Sequence, residues 1–212
     1  MKGFTKVKKI SAYQVLDVIF PVALHYGIML LTAMLTGNDL DAAAQTTLAA
    51  LAAFPLLWRL YKKEPRSKGS YTFRSLWVLP FLGMAGNLLF SFLLRAIHLT
   101  EHFSNAFQEA LFQSDLLIQV IGIGIFVPFV EEVIFRGLVY GKLRRRFSWW
   151  AAAAVSAGFF AFYHGNVIQI VYAFPMGLLL AWAYERWGCL LAPVLIHVGA
   201  NLLGILETVR NA

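Results

Sequence analysis

Ionisable and amide side chains occur inside apolar segments of the C-terminal half of the chain, where charged groups are costly to hold. They stand in three short stretches, EEVIFR, FAFYH and HVGAN. A carboxylate, two imidazoles and an amide are suited to activating water and to stabilising an oxyanion, which is the equipment of a hydrolase acting on an amide bond. The residues concerned are Glu131, Glu132, Arg136, His164, His197 and Asn201.

Helical spacing separates the two adjacent glutamates. Residues i and i+4 share a face of an α-helix, whereas direct neighbours diverge by about 100°. We therefore expect Glu132 to pair with Arg136 along its own helix, which leaves Glu131 pointing elsewhere. Phe160 lies one turn before His164 on a shared face. This spacing predicts a supporting ion pair beside a separate catalytic carboxylate.

Two chemistries fit one glutamate and two histidines. In the first, Glu131 is a general base for water, one histidine shares or orients that water, and Asn201 stabilises the oxyanion together with the other histidine. In the second, Glu131, His164 and His197 hold a divalent metal such as zinc with an open coordination position. The HExxH signature is absent, and no serine or cysteine stands in an evident triad, so we expect no covalent nucleophile. The cofactor is then either a divalent metal or none.

The chain that positions these groups is far more apolar than a soluble domain. Its 212 residues are 59% hydrophobic, against roughly 45–50% in soluble proteins. Apolar stretches long enough to cross the hydrocarbon core of a bilayer recur along the sequence. We predict an all-α polytopic membrane protein with about seven transmembrane helices, the last four of which form the catalytic core. The predicted spans are residues 13–36, 42–60, 76–97, 116–141, 149–164, 167–185 and 189–206.

Basic residues gather on one side of the membrane if these spans alternate in direction. Most of the 18 Lys and Arg residues lie in residues 2–9, 59–74 and 142–146. By the positive-inside rule, the N-terminus is cytoplasmic and the C-terminus external. Contact of the basic loops with an anionic inner leaflet accounts for the net charge of +7 without a nucleic-acid partner. We predict a multi-pass protein of the cell membrane, with the lipid bilayer as its surroundings.

The three stretches give the chain a resemblance to a known family. Glu131–Arg136, Phe160–His164 and His197–Asn201 follow one another in the order EExxxR, FxxxH and HxxxN. In this the chain resembles the CPBP family of intramembrane proteases, also called Abi. That family includes type II CAAX prenyl endopeptidases and bacterial bacteriocin-processing or immunity proteins. The resemblance covers residues 115–206, which it implies form a CPBP-like catalytic core. From the sequence as a whole we expect one integral membrane domain over residues 1–212, in which residues 1–114 form N-terminal helices and loops.

Roles for individual residues also follow from the resemblance. It implies that Glu131 and His164 activate the attacking water, whereas His197 and Asn201 stabilise the oxyanion. Members of the family are commonly labelled metalloproteases, although a metal-free, glutamate-dependent mechanism has been argued for the prenyl-protease branch, so the resemblance leaves both chemistries open. The supporting residues that it implies are Glu132, Arg136 and Phe160.

The function expected from these features is that of an intramembrane endopeptidase acting on a peptide or a membrane-associated protein. The short chain favours a bacterial substrate, such as a bacteriocin or signal-peptide precursor, over a prenylated CAAX protein. One alternative is a non-catalytic membrane immunity or binding protein of the same fold, which would have no reason to keep the complete set of four residues. A second is a small proton-coupled transporter using Glu131 and the histidines as a relay, although the sequence has no pair of interrupted helices in two related halves.

Overall fold

A computed structural model describes residues 11–65 and 76–211, and all regular secondary structure within these residues is helical. Seven long helices coincide with the seven apolar stretches of the sequence, and two short helices lie between the third and fourth. The helices are α1 (Ala12–Thr36), α2 (Ala42–Lys63), α3 (Leu79–Ala96), α4 (Leu99–His102), α5 (Ala106–Leu111), α6 (Ile118–Arg144), α7 (Trp149–Tyr163), α8 (Val167–Trp187) and α9 (Leu191–Asn211).

The predicted class, an all-α polytopic membrane protein, is confirmed. Five of the described helices, α1, α3, α6, α8 and α9, are long and apolar enough to cross a membrane. The 15-residue α7 is apolar but shorter. The 22-residue α2 is long enough, but its last turns carry the cations Arg59, Lys62 and Lys63. The prediction of about seven spans thus corresponds to seven long helices, of which five satisfy both length and apolarity.

Polar side chains begin several of these helices by accepting hydrogen bonds from backbone groups that the first turn leaves free. Asp41 accepts a hydrogen bond from the backbone N–H of Ala44 at 2.8 Å at the start of α2. Asn166 accepts one from the N–H of Gln169 at 2.9 Å at the start of α8. Gly188 ends α8 in the left-handed region, with a φ of 61°. The connections between these spans are therefore short and sharply defined.

The central element is α6. In its most apolar stretch of 18 residues, 67% of the residues are buried, compared with 22% in the corresponding stretch of α1. Its middle turn, Val127–Glu132, is α-helical, whereas Ile118–Phe126 and Val133–Tyr140 are π-helical. In the first π segment the N–H of Val127 bonds the carbonyl of Gly122, five residues earlier. Such π turns rotate the side chains that follow them relative to an unbroken α-helix, and they recur at functional sites.

Two helices approach each other at backbone distance. A Cβ atom on Gly83 of α3 would lie 1.8 Å from the carbonyl oxygen of Ile196 in α9, and one on Gly199 would lie 2.1 Å from the carbonyl oxygen of Pro80. Neither position has room for a larger residue. Small residues at such crossings are a common way for membrane helices to pack. This contact fixes the part of α9 on either side of Gly199.

Ion pairs cluster at one end of the bundle, which we call the basic end. It contains the first turns of α1 and the last turns of α2, α6 and α8. The pairs there include Lys142–Asp17 (2.6 Å), in which Lys142 is buried, and the more exposed Arg145–Glu64 (2.7 Å) and Arg144–Glu185 (2.8 Å). These contacts show that α2, α6 and α8 end where α1 begins, as expected if the seven predicted spans alternate in direction.

Candidate active site

All four residues predicted to be catalytic line one cavity of about 710 Å³ between the long helices. Glu131 comes from the middle of α6, and His164 follows the last residue of α7. His197 and Asn201 lie one turn apart on α9. The structure thus brings together side chains from three helices that are up to 70 residues apart in sequence.

The predicted pair of Glu132 and Arg136 forms, and both side chains are fully buried. Nη1 of Arg136 donates to Oε1 of Glu132 at 3.1 Å. The guanidinium also donates through Nη2 to the carbonyl oxygen of Gly177 in α8, at 3.2 Å, and lies 4.4 Å from the ring centre of Phe160 in α7. The pair therefore joins α6 to two neighbouring helices.

Glu132 has a second partner that its own helix does not provide. Its Oε1 atom lies 2.8 Å from Nδ1 of His197. Nε2 of the same imidazole lies 3.6 Å from Oε2 of Glu131. The Glu132 oxygen that pairs with Arg136 accepts hydrogen bonds, so Nδ1 of His197 is the donor in this contact. His197 is thus fixed in orientation, with Nε2 directed at Glu131.

The second imidazole is oriented by its own helix. Nδ1 of His164 lies 2.7 Å from the carbonyl oxygen of Phe160, four residues earlier. Since a carbonyl only accepts hydrogen bonds, Nδ1 carries the proton, and in the neutral ring Nε2 holds a lone pair. The Phe160 ring contacts both imidazoles edge to face, with centroid distances of 4.8 Å to His164 and 5.6 Å to His197. Phe160 therefore packs against both histidines.

Asn201 is bound to a carbonyl of α6. Its Nδ2 atom donates to the oxygen of Ile123 at 2.9 Å. In the π-helical register of this segment, the donor for Ile123 would be residue 128, which is a proline and has no N–H. Asn201 therefore satisfies a carbonyl that Pro128 leaves free, and one proton of its amide group is not used by this contact.

The cavity also contains polar residues that spacing arguments did not select. His25 of α1 is 1% exposed, and its Nδ1 atom lies 2.5 Å from the hydroxyl of Tyr163. Asn87 of α3 donates through Nδ2 to the carbonyl oxygen of Ala200 at 2.9 Å. His25 was the detectable one, because an ionisable residue in an apolar span is a signal by itself. Nothing in the sequence pairs it with Tyr163, which lies 138 residues away.

The positions of the two histidines and Glu131 can also be compared with those of metal ligands. Each histidine has Nδ1 bound to an oxygen, as zinc-ligand histidines usually do. However, within residues 11–65 and 76–211 no group of three or more His, Cys, Asp or Glu side chains is arranged to hold a metal ion. The set Glu131, His164 and His197 does not fit a three-ligand site in this arrangement.

Comparison with known proteins links the C-terminal half to a protease family. Residues 113–203 match the model of type II CAAX prenyl endopeptidase Rce1-like proteins, which supports the resemblance to the CPBP family. No solved structure matches the chain significantly.

Similar proteins are found in three bacteria. An uncharacterized 24.3 kDa protein of Escherichia coli is 34% identical over 43% of this chain and 45% of its own length. The putative membrane peptidase YdiL of Bacillus subtilis is 29% identical over 40% of this chain and 36% of its own. The UPF0177 protein YxdF of Lactococcus lactis is 23% identical over 74% of this chain and 90% of its own length. The chain thus spans less than half the length of the first two relatives, of which the second is named as a putative membrane peptidase.

Proposed function

We propose that this protein, whose residues 113–203 resemble type II CAAX prenyl endopeptidases, is an intramembrane endopeptidase that hydrolyses a peptide bond with a water molecule activated by Glu131. The observation that carries the proposal is the convergence on one cavity of a carboxylate, two oriented imidazoles and an amide. Glu131 is 8% exposed and lines the cavity, whereas Glu132 beside it is fully buried and engaged by Arg136 and His197. Glu131 is therefore the carboxylate available to a substrate.

In the proposed reaction Glu131 takes a proton from water while the oxygen attacks the carbonyl carbon of the scissile bond. The Nε2 lone pair of His164 accepts a hydrogen bond from the same water and orients it. The developing oxyanion accepts a hydrogen bond from the remaining amide proton of Asn201. It accepts a second from Nε2 of His197 when the ring is in its imidazolium form, with protons on both nitrogens. The proton on Glu131 then passes to the leaving nitrogen as the C–N bond breaks, which gives a carboxylic acid and an amine; the acid then loses its proton to solvent.

The residues around the four have a positioning role in this scheme. Glu132 holds His197 through Nδ1, and Arg136 holds Glu132. Phe160 supports both histidines through its ring and orients His164 through its carbonyl oxygen. The scheme is metal-free, because each of its steps uses only side chains of the protein. The substrate class we propose is a peptide or a membrane-associated protein, such as a bacterial peptide precursor.

The proposal is tested with purified protein in detergent or liposomes, incubated with a library of membrane-associated peptides and analysed by mass spectrometry. The wild type is expected to release defined products, each with a new carboxylate and a new amine terminus. The Glu131→Gln variant is expected to release none. A matched control is Glu109→Gln, the same chemical change at an exposed residue of α5. Equal cleavage by the wild type and the Glu131→Gln variant would overturn the proposal.

A further inference from the structure

The cavity and the basic end lie at opposite ends of the helical bundle. Besides the four site residues, the cavity is lined by the last turns of α3 and α9 and the first turns of α2 and α8. The basic end is formed by the opposite ends of α2 and α8. We call the outer lining residues the cavity mouth: Arg95, Thr100, Asn105, Gln108, Glu207 and Thr208.

Hydrogen bonds between connecting segments show which loops lie at the same end of the bundle as the cavity mouth. Ser114, before α6, donates to Asp41, before α2, at 2.6 Å. Nδ2 of Asn166, before α8, donates to Oδ1 of Asn105 at 3.3 Å, and Gln169 donates to the same oxygen at 3.5 Å. These bonds gather the connections α1–α2, α5–α6 and α7–α8 around the mouth.

Charge distinguishes the two ends. Among the described residues, the mouth's end carries only Arg95 and Arg210 as fixed cations, whereas the basic end carries several times as many. The acidic residues of the mouth's end are Asp39, Asp41, Glu101, Glu109, Asp115 and Glu207. The basic residues of the opposite end are Arg59, Lys62, Lys63, Lys142, Arg144, Arg145, Arg146 and Arg186. Loops rich in Lys and Arg stay on the cytoplasmic side, and Asp and Glu have little influence on orientation.

We infer that the cavity opens on the extracytoplasmic side of the membrane, so that the site receives peptide segments presented at that face. The position of the mouth rests on the charge distribution and the cavity lining alone. The class of substrate rests on the proposed function: an exported peptide, or the extracytoplasmic flank of a membrane-anchored protein. The lining suits such a segment, because the entrance has polar, uncharged side chains such as Asn105, Gln108 and Thr208 among its residues.

The position of the mouth is tested by cysteine labelling in intact bacterial cells. The single cysteine is first removed by Cys189→Ala. In that background, Thr100→Cys places a thiol at the mouth and Ser148→Cys places one in the loop before α7, at the basic end; both positions are exposed. A membrane-impermeant maleimide should label the Thr100→Cys variant equally in intact and permeabilised cells. It should label the Ser148→Cys variant only after permeabilisation.

The reverse pattern, or labelling of the Thr100→Cys variant only after permeabilisation, would overturn the inference. The labelling does not depend on catalysis, and adding Glu131→Gln should leave it unchanged. A second measurement supplies an impermeant peptide, cleaved by the purified protein, to intact cells, and cleavage should occur outside in cells with the wild type and not with Glu131→Gln. If no peptide is cleaved even by purified protein, the proposed function fails while the labelling result stands.

Discussion

Nδ1 of His197 lies 2.8 Å from Oε1 of Glu132, across the interface between α9 and α6. The same carboxylate oxygen accepts a hydrogen bond from Arg136 at 3.1 Å. One fully buried oxygen therefore connects a fixed cation to an imidazole whose other nitrogen is 3.6 Å from Glu131. Through this chain of contacts, a residue pair buried away from the cavity determines the orientation of a residue within it.

Breaking the buried pair should destabilise the protein. Arg136→Met leaves the carboxylate of Glu132 buried without its cation, a change that costs about 3–5 kcal/mol for such pairs. We expect a clearly lower melting temperature in detergent, partly restored in the double variant Glu132→Met/Arg136→Met. The matched control is Arg144→Met, which breaks an exposed pair with Glu185 and should cost about 0–1 kcal/mol. Equal losses in the two single variants would remove this assignment.

Asn201 and Pro128 should be energetically coupled. Asn201→Ala leaves the carbonyl of Ile123 without a donor, at a cost of about 1–3 kcal/mol. Pro128→Ala returns an N–H to the helix at the position that bonds Ile123 in the π register. Unfolding measurements on both single variants and the double variant should therefore show a smaller cost of Asn201→Ala in the Pro128→Ala background. Strictly additive costs would contradict the proposed exchange of donors.

The crossing of α3 and α9 should tolerate no side chain. Gly199→Ala places a methyl group within 2.1 Å of the Pro80 carbonyl oxygen, so α9 has to move and carry His197 with it. We expect loss of both thermal stability and cleavage. Gly158→Ala is the control, since a Cβ atom there meets nothing within 4 Å, and alanine in a helix interior is favoured by about 0.5–1 kcal/mol. A Gly199→Ala variant with unchanged stability and turnover would show that the crossing is looser than described.

Metal removal should leave cleavage intact. The described part of the chain gathers no three ligand side chains around one point, and the proposed reaction needs none. Purified protein is expected to contain less than one equivalent of zinc per chain and to keep its turnover after treatment with a strong chelator. Turnover lost on chelation and restored by added zinc would contradict the metal-free scheme.

Local features of the site were predictable from sequence, and contacts between helices were not. The spacing of Glu132 and Arg136 predicted their ion pair, because residues four apart share a helix face. Glu132 and His197 are 65 residues apart, and their contact depends on how α6 packs against α9. The periodicity of apolar residues does not predict that packing. The pairing of His25 with Tyr163 is a further example.

The same distinction holds for the fold. Hydropathy located the seven long helices, since the length of each apolar stretch can be read directly from the sequence. It did not reveal the π turns of α6, which change which side chains share a face of the helix. The basic residues fall on one side if the spans alternate, and ion pairs such as Lys142–Asp17 join ends that this alternation places together.

The central claim is that Glu131, and not its neighbour, is the base that activates water. It is tested most directly by the turnover of Glu131→Gln on a peptide that the purified wild type cleaves, with Glu109→Gln as control and melting temperatures measured on the same samples. The account predicts a turnover lower by about 10²-fold or more, with wild-type turnover in the control and unchanged melting in both variants. Wild-type turnover by a folded Glu131→Gln variant would contradict it.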